Sequence, residues 1–168
     1  MNISCLDAIF FDFDGVLTDN RVLVDQDGKE SVLCNRADGL AFELFRKINV
    51  PTFILSSEKN SVVVMRAEKL KTQVYHGIVN KERTLSKICL EKNYDLKKVM
   101  FVGNDINDLN VMMSCGYTAC PSDSHKKIKK ISTFKLKKEG GDGVARELIE
   151  NIFCIDIANI LYGSRNLD

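Results

Sequence analysis

Two carboxylates spaced two apart, Asp12 and Asp14, directly follow the apolar run Ala8, Ile9, Phe10 and Phe11, and Gly15 comes next. Residues i and i+2 of an extended chain project to the same side, so both acids leave the end of a strand together. Charges of one sign that close repel, and neither acid can be buried unpaired. Either one of them holds a proton or a cation comes between them. Taken alone, the pair also reads as two acids of a solvated turn, so its meaning depends on what the rest of the chain brings beside it.

The elements that would position such a pair follow from the pattern of apolar runs. A short apolar run rich in Phe and Ile and bounded by glycine favours a buried strand, which makes 8–11 a central strand. A second strand over 52–55, opened by Pro51, ends in Ser56, Ser57 and Glu58. A third over 74–76 ends at Gly77, ahead of Lys81, and a fourth over 99–102 runs into Gly103, Asn104, Asp105, Ile106, Asn107 and Asp108. Shorter strands are expected at 117–119 and 133–134. Between them the spacing predicts helices over 40–45 with Asp38 as its cap, over 61–70, from Lys81 onward through Leu85, Ile88 and Cys89, after Asp108 to about 115, over 124–131, and over 144–153. Two β-prone stretches flank the Asp27-Gly28 turn, so about 18–34 reads as a hairpin. Asp25 and Asp27 lack both a preceding buried strand and the later ligands of a calcium loop, which leaves them as a solvated turn.

Strands alternating with helices imply an α/β fold with a parallel sheet covered on both faces. No linker or repeat divides residues 1–168, so one domain is expected, with a tail at 154–168. Ligands of such sheets lie at the carboxyl ends of the strands. That rule gathers Asp12, Asp14, Ser56, Lys81, Asn104 and Asp105 into one crevice.

This set suits a phosphate monoester. A carboxylate, Asp12, can attack phosphorus and form an aspartyl-phosphate, splitting a slow hydrolysis into two displacements. Asp14 can protonate the departing alkoxide and later take a proton from water. A hydroxyl from Ser56 and the ammonium of Lys81 can face the charge that develops on the phosphoryl oxygens. A dianionic ester approaches such acids only with a hard cation present. Mg²⁺ held by Asp12, the backbone carbonyl of Asp14 and a side-chain oxygen of Asn104 or Asp105 would serve.

Composition bounds the alternatives. The 168 residues are 45% hydrophobic and 28% charged with net charge +1, ordinary values for a globular chain and too balanced for a dedicated nucleic-acid surface. The basic run from His125 through Lys126, Lys127, Lys129 and Lys130, with Lys135, Lys137 and Lys138 beyond, lacks interleaved aromatics and reads as a solvated helix face. Neither His76 nor His125 is given a role. No apolar stretch is long enough to span a bilayer, and the first residues lack a signal-peptide pattern, so no membrane partner and a cytoplasmic location are expected. Cys5, Cys34, Cys89, Cys115, Cys120 and Cys154 fall in no CxxC pair and are expected as reduced core thiols.

Asp12-Phe13-Asp14-Gly15-Val16-Leu17-Thr18 after a strand resembles the first motif of the haloacid dehalogenase-like (HAD) phosphohydrolases. Ser56 resembles the second, Lys81 the third, and the stretch from Gly103 to Asp108 the fourth, with Asp108 behind the ligands. The resemblance implies a three-layer Rossmann-like sandwich with a small hairpin in place of a cap domain. Within that superfamily, Asp19, the hairpin, Asn35-Arg36-Ala37-Asp38-Gly39, and Gly140 through Glu147 resemble the small phosphatases of 3-deoxy-octulosonate 8-phosphate and of nonulosonate (sialic-acid type) 9-phosphates, the former tied to lipopolysaccharide biosynthesis. Ser57, Glu58, Arg66 and Lys69, with Asn35 and Arg36, resemble the sugar-reading residues of the nonulosonate type. Arg66 and Lys69 form a cation pair suited to a sugar acid's carboxylate, although an exposed helix face explains them equally well. Members of this branch are homotetramers whose hairpin reaches toward a neighbouring subunit. The chain also resembles phosphatase modules associated with acylneuraminate cytidylyltransferases.

The fourth motif departs from the Gly-Asp-Asp of many relatives. Asn104 offers a neutral amide oxygen, a weaker donor to Mg²⁺ than a carboxylate. A weakly active or non-catalytic oligomerisation module on the same fold is therefore the main rival, against which Asp12, Asp14, Ser56 and Lys81 all speak. A response-regulator receiver domain is disfavoured, since here the first strand ends in the Asp pair and Leu55 is followed by serine.

Overall fold

The structure, a computed structural model, describes residues 1–163. Its frame is a parallel sheet of six strands: β1 (Ala8–Phe11), β4 (Thr52–Leu55), β5 (Gln73–Tyr75), β6 (Val99–Val102), β7 (Tyr117–Cys120) and β8 (Phe134–Lys135). The order across the sheet is β5-β4-β1-β6-β7-β8. β1, β4 and β6 are buried along their whole length, as near-continuous apolar strands covered on both faces must be. Phe10 pairs in register with Phe53 on one side and Phe101 on the other, and the Phe10 and Phe53 rings stack with centroids 4.6 Å apart.

Side chains alternate across the sheet. Ile9 and Phe11 enter the core under α1 (Ala37–Lys47), α2 (Val62–Leu70) and α6 (Val144–Glu147), where Phe42, Phe45 and Leu148 meet them. Ala8 and Phe10 enter the opposite core under α3 (Lys81–Lys92), α4 (Leu109–Ser114) and α5 (Lys126–Ile131). Both cores close the sheet, so the crevice at the carboxyl ends stays open only where the chain leaves β1 toward both neighbours.

The hairpin comprises β2 (Leu23–Val24) and β3 (Glu30–Ser31), with a bridge between Thr18 and Cys34 at its base. Asp25 Oδ1 accepts from the amides of Asp27 and Lys29, a self-contained turn as expected. Val22, Leu23, Val24 and Leu33 on this hairpin are exposed.

Several expectations are corrected. Asp38 does not cap its own helix: α1 starts at Ala37, whose amide is held by Asn35 Oδ1, and Asp38 Oδ1 instead accepts from the amides of Ala145 and Arg146 at the start of α6. The helix expected over 144–153 is α6 followed by a π-helical stretch, Leu148–Ile152. The tail carries a further helix, α7 (Ile157–Tyr162), whose Ile157 is buried; the rest of the tail lies outside the described residues. All six cysteines are free thiols, yet only Cys89 and Cys120 are buried, while Cys5 and Cys154 are exposed. No helix among the described residues is long and apolar enough to cross a membrane. In α5 only Ile128 is buried, so its lysines form a solvated face.

Candidate active site

Lys81 is the first residue of α3, whose start Asn80 caps through Oδ1. Although only 4% exposed, it places its ammonium 2.7 Å from Asp12 Oδ1 and 2.7 Å from Asp108 Oδ1. Asp12 Oδ1 also accepts from the Phe13 amide at 2.7 Å. The other oxygen of Asp108 accepts from the amides of Asn104 and Asp105, which folds the loop after β6 back over the end of the sheet. A side chain at Gly103 would strike Asp108, with a Cβ 2.7 Å from its Oδ2, so glycine is required there.

Burial and the neighbouring Asp108 push the Asp12 carboxyl above its ordinary range, against the pull of Lys81. Asp14, half-buried, is also raised, first by burial and then by Glu58. Burial works against the charge of Lys81, but Asp12 and Asp108 overcome it and leave its pKa raised. One ammonium thus bridges two carboxylates with Asp14 nearby, and the site lacks positive charge.

The residues fit a magnesium ion at this point. Asn104 is 6% exposed and its Oδ1 is buried with no hydrogen-bond donor. An acceptor left bare in the interior costs about 1–3 kcal/mol, and a hard cation relieves it. A Cβ on Gly15, whose φ is +79°, would lie 1.9 Å from Asn104 Nδ2, so the glycine lets the amide come in beside Asp12 and Asp14. Asp105, by contrast, is exposed and turns its Oδ1 to the Ile106 amide. Among the described residues no three His, Cys, Asp or Glu side chains gather to hold a metal.

A cavity of about 230 Å³ opens above these groups, lined by Asp12, Asp14, Ser57, Asn104 and Asp105 among others. Ser56 is buried and does not line it; its Oγ accepts from the Glu58 amide at 3.1 Å and keeps its own proton to donate. Ser57 lines the cavity, within 3.4 Å of Asn107 Nδ2. Glu58 lies in an adjoining trough under the hairpin that also contains Asp14 and Asn20. Arg66, Lys69, Asn35 and Arg36 line neither space. The guanidinium of Arg66 donates to the Asn35 carbonyl instead, while Lys69 and Arg36 are exposed. Asn20 and Arg21, which line the trough, belong to the hairpin rather than to a strand end; their nearness to Thr18 and Asp19 is the only sequence signal for them.

A family model described as haloacid dehalogenase-like hydrolase matches residues 47–148. The chain belongs to the haloacid dehalogenase-like hydrolases. Among curated HAD relatives, it is 26% identical over 143 residues to the 3-deoxy-D-manno-octulosonate 8-phosphate phosphatase KdsC of Escherichia coli K12, covering 84% of this chain and 76% of that protein. It is 23% identical over 143 residues to N-acylneuraminate cytidylyltransferase A of Danio rerio, covering 84% of this chain but 33% of that protein. The chain thus spans about a third of the length of the cytidylyltransferase it matches. A solved Streptomyces avermitilis protein classed as a HAD family hydrolase is 37% identical, with a TM-score of 0.85 over 98% of this chain and 89% of the other. The octulosonate 8-phosphate phosphatase of Moraxella catarrhalis, solved with magnesium, phosphate and KDO, shares the fold at a TM-score of 0.84 and 21% identity, over 94% of this chain and 88% of that one.

Proposed function

We propose that this HAD chain is a Mg²⁺-dependent phosphatase that releases inorganic phosphate from a 2-keto-3-deoxy sugar acid phosphate, a nonulosonate 9-phosphate before others. The observation that carries this reading is the buried Lys81 ammonium, 2.7 Å from both Asp12 and Asp108, beside the bare Asn104 oxygen.

Asp12 Oδ1 is spent on Lys81 and the Phe13 amide, which leaves Oδ2 to attack phosphorus. As the P–O bond to the sugar breaks, the Asp14 carboxyl protonates the leaving alkoxide. The aspartyl-phosphate on Asp12 is then attacked by water, whose proton returns to Asp14, and phosphate departs with Asp12 restored. Lys81 and the Ser56 hydroxyl oppose charge that grows on the phosphoryl oxygens. Asp12, Asn104 and the Asp14 carbonyl would hold a magnesium ion, which would supply the charge screening that lets a dianion enter.

The nonulosonate preference rests on Glu58 in the trough and on likeness to the N-acylneuraminate cytidylyltransferase. A second reading, octulosonate 8-phosphate as substrate, is favoured by the match to KdsC, which covers 76% of that protein. The neutral Asn104 favours a third, a weakly active or non-catalytic assembly module. The proposal includes a homotetramer, which the exposed apolar hairpin residues support, and a cytoplasmic location.

Phosphate release from a panel of sugar phosphates, with Mg²⁺ or with EDTA, tests it. The wild type should turn over nonulosonate 9-phosphate in Mg²⁺ and stop in EDTA, and Asp12→Asn should be inactive. Preference for octulosonate 8-phosphate would overturn the substrate, and no turnover of any ester would leave the assembly module.

A further inference from the structure

The stretch from Gly140 to Glu147 lines neither the cavity above Asp12 nor the trough beside it, yet two of its glycines lie against the loop that carries Asp14. A Cβ on Gly140 would fall 2.3 Å from the Gly15 carbonyl oxygen and 3.0 Å from that of Thr18. One on Gly141, whose φ is +73°, would fall 2.5 Å from the Asp19 amide nitrogen. The Gly141 amide donates to the Val16 carbonyl at 3.0 Å. Backbone therefore packs on backbone here, and only glycine permits it. Across the contact the Asp14 loop is a tight turn, in which the Phe13 carbonyl accepts from the amides of Val16, Leu17 and Thr18. Thr18 Oγ1 accepts from the Gly15 amide at 3.2 Å and lies 3.5 Å from Asp14 Oδ1.

The glycine turn is itself anchored. Glu147 is only 5% exposed, and each of its two oxygens accepts one amide at 2.8 Å, from Lys137 and from Lys138. Asp123 Oδ1 accepts from the Gly140 amide at 3.0 Å, and the Ser122 amide donates to the Lys138 carbonyl at 2.9 Å. A buried acid whose oxygens are both taken by backbone amides holds a loop in place.

Resting on the phosphatase reading above, we propose that the Gly140-Gly141 turn, held by Glu147 and Asp123, positions the general acid by fixing the backbone from Gly15 to Thr18 and with it the aim of the Asp14 carboxyl. Gly140, Asp123 and Glu147 are positioning residues that act through Asp14. A proton passes to the leaving oxygen only from within hydrogen-bond reach, and a misplacement of about 1 Å costs about 100-fold in rate. The leaving group separates this role from a merely structural one. A sugar alkoxide departs with a proton, whereas p-nitrophenolate departs without one, and kcat/KM includes no step after the phosphoryl group has reached Asp12.

The test compares kcat/KM for the sugar acid phosphate that the wild type turns over fastest with that for p-nitrophenyl phosphate, in the wild type, Gly140→Ala, Asp123→Ala, Asp123→Asn and Gly116→Ala. Gly116 precedes β7 at the opposite edge of the sheet, where a Cβ would meet the Lys97 carbonyl oxygen at 1.9 Å, so its variant carries a comparable clash away from Asp14. Gly140→Ala should lower the ratio of sugar ester to aryl ester by about 10- to 100-fold, and Asp123→Ala should lower it by about fivefold. Asp123→Asn keeps an acceptor for the Gly140 amide and should restore the ratio, while Gly116→Ala should move it by less than about twofold. Amide hydrogen exchange at Val16, Leu17 and Thr18 should quicken in Gly140→Ala and stay as in the wild type in Gly116→Ala. Equal falls for both esters in Gly140→Ala, or unchanged exchange at those three amides, would overturn the inference while the phosphatase reading stands. A wild type that hydrolyses no ester would take down both.

Discussion

With Lys81 in place, Asp12 and Asp108 share one ammonium in the interior; with a neutral side chain there, two buried carboxylates face each other. Removing one partner of a buried ionic set typically costs about 3–5 kcal/mol. Lys81→Met should therefore lose about that much stability in urea unfolding near pH 9, and less at neutral pH, where the Asp12 carboxyl, raised to about 8 even beside Lys81, is protonated without it. A loss below about 1 kcal/mol near pH 9 would mean that the carboxylates are not relying on Lys81. Asp12, Lys81 and Asn104 were legible in the sequence because each closes or shortly follows a strand that aims it at the sheet's carboxyl edge. The choice between Asn104 and Asp105 was not, since it turns on which oxygen the loop leaves without a donor. Arg66 and Lys69 resemble readers of the substrate, and that the Arg66 guanidinium donates to the Asn35 carbonyl within one chain is a contact no resemblance shows.

At the level of elements, Asp38 joins α1 to the start of α6 through two amides while its second oxygen stays buried without a partner. Burial raises its carboxyl from 3.8 to about 6, against the pull of the Arg146 and Ala145 amides. The folded protein thus holds this proton more tightly than the unfolded chain. The group destabilises only once ionised, so its stability contribution is highest below about pH 4 and falls through about pH 6, by roughly 3 kcal/mol at 1.36 kcal/mol per pH unit of separation. Asp38→Asn keeps an acceptor for both amides and removes that slope. Unfolding midpoints at pH 4 and pH 7 should differ less in the variant than in the wild type, and equal differences would contradict the assignment. The acid's partners were hidden from sequence because they lie more than a hundred residues away. The central strands β1, β4 and β6 matched their expected bounds, since strands buried on both faces have sharp apolar limits. The edge strands β5 and β8 shifted by a residue because their burial, and hence their pattern, is partial.

For the whole molecule, a parallel sheet covered on both faces was legible from the alternation of strands and helices, whereas the order of its strands comes from the structure, and nothing in one chain says what the hairpin touches. Leu23 and Leu33 on it are 73% and 74% exposed, an arrangement that gains from being covered. If the homotetramer proposal holds, Leu23→Asp with Val24→Asp should sediment as a smaller species than the wild type, with reduced turnover. An unchanged tetramer would move the interface elsewhere, and a monomeric wild type would remove it.

If this chain is a phosphatase of the proposed kind, Asp12 becomes covalently phosphorylated during turnover. Acid-quenching the wild type during hydrolysis of a radiolabelled sugar acid phosphate in Mg²⁺ should leave label on the peptide that contains Asp12, released by hydroxylamine and absent from Asp12→Asn. Turnover with no label there, or label that survives in Asp12→Asn, would contradict it.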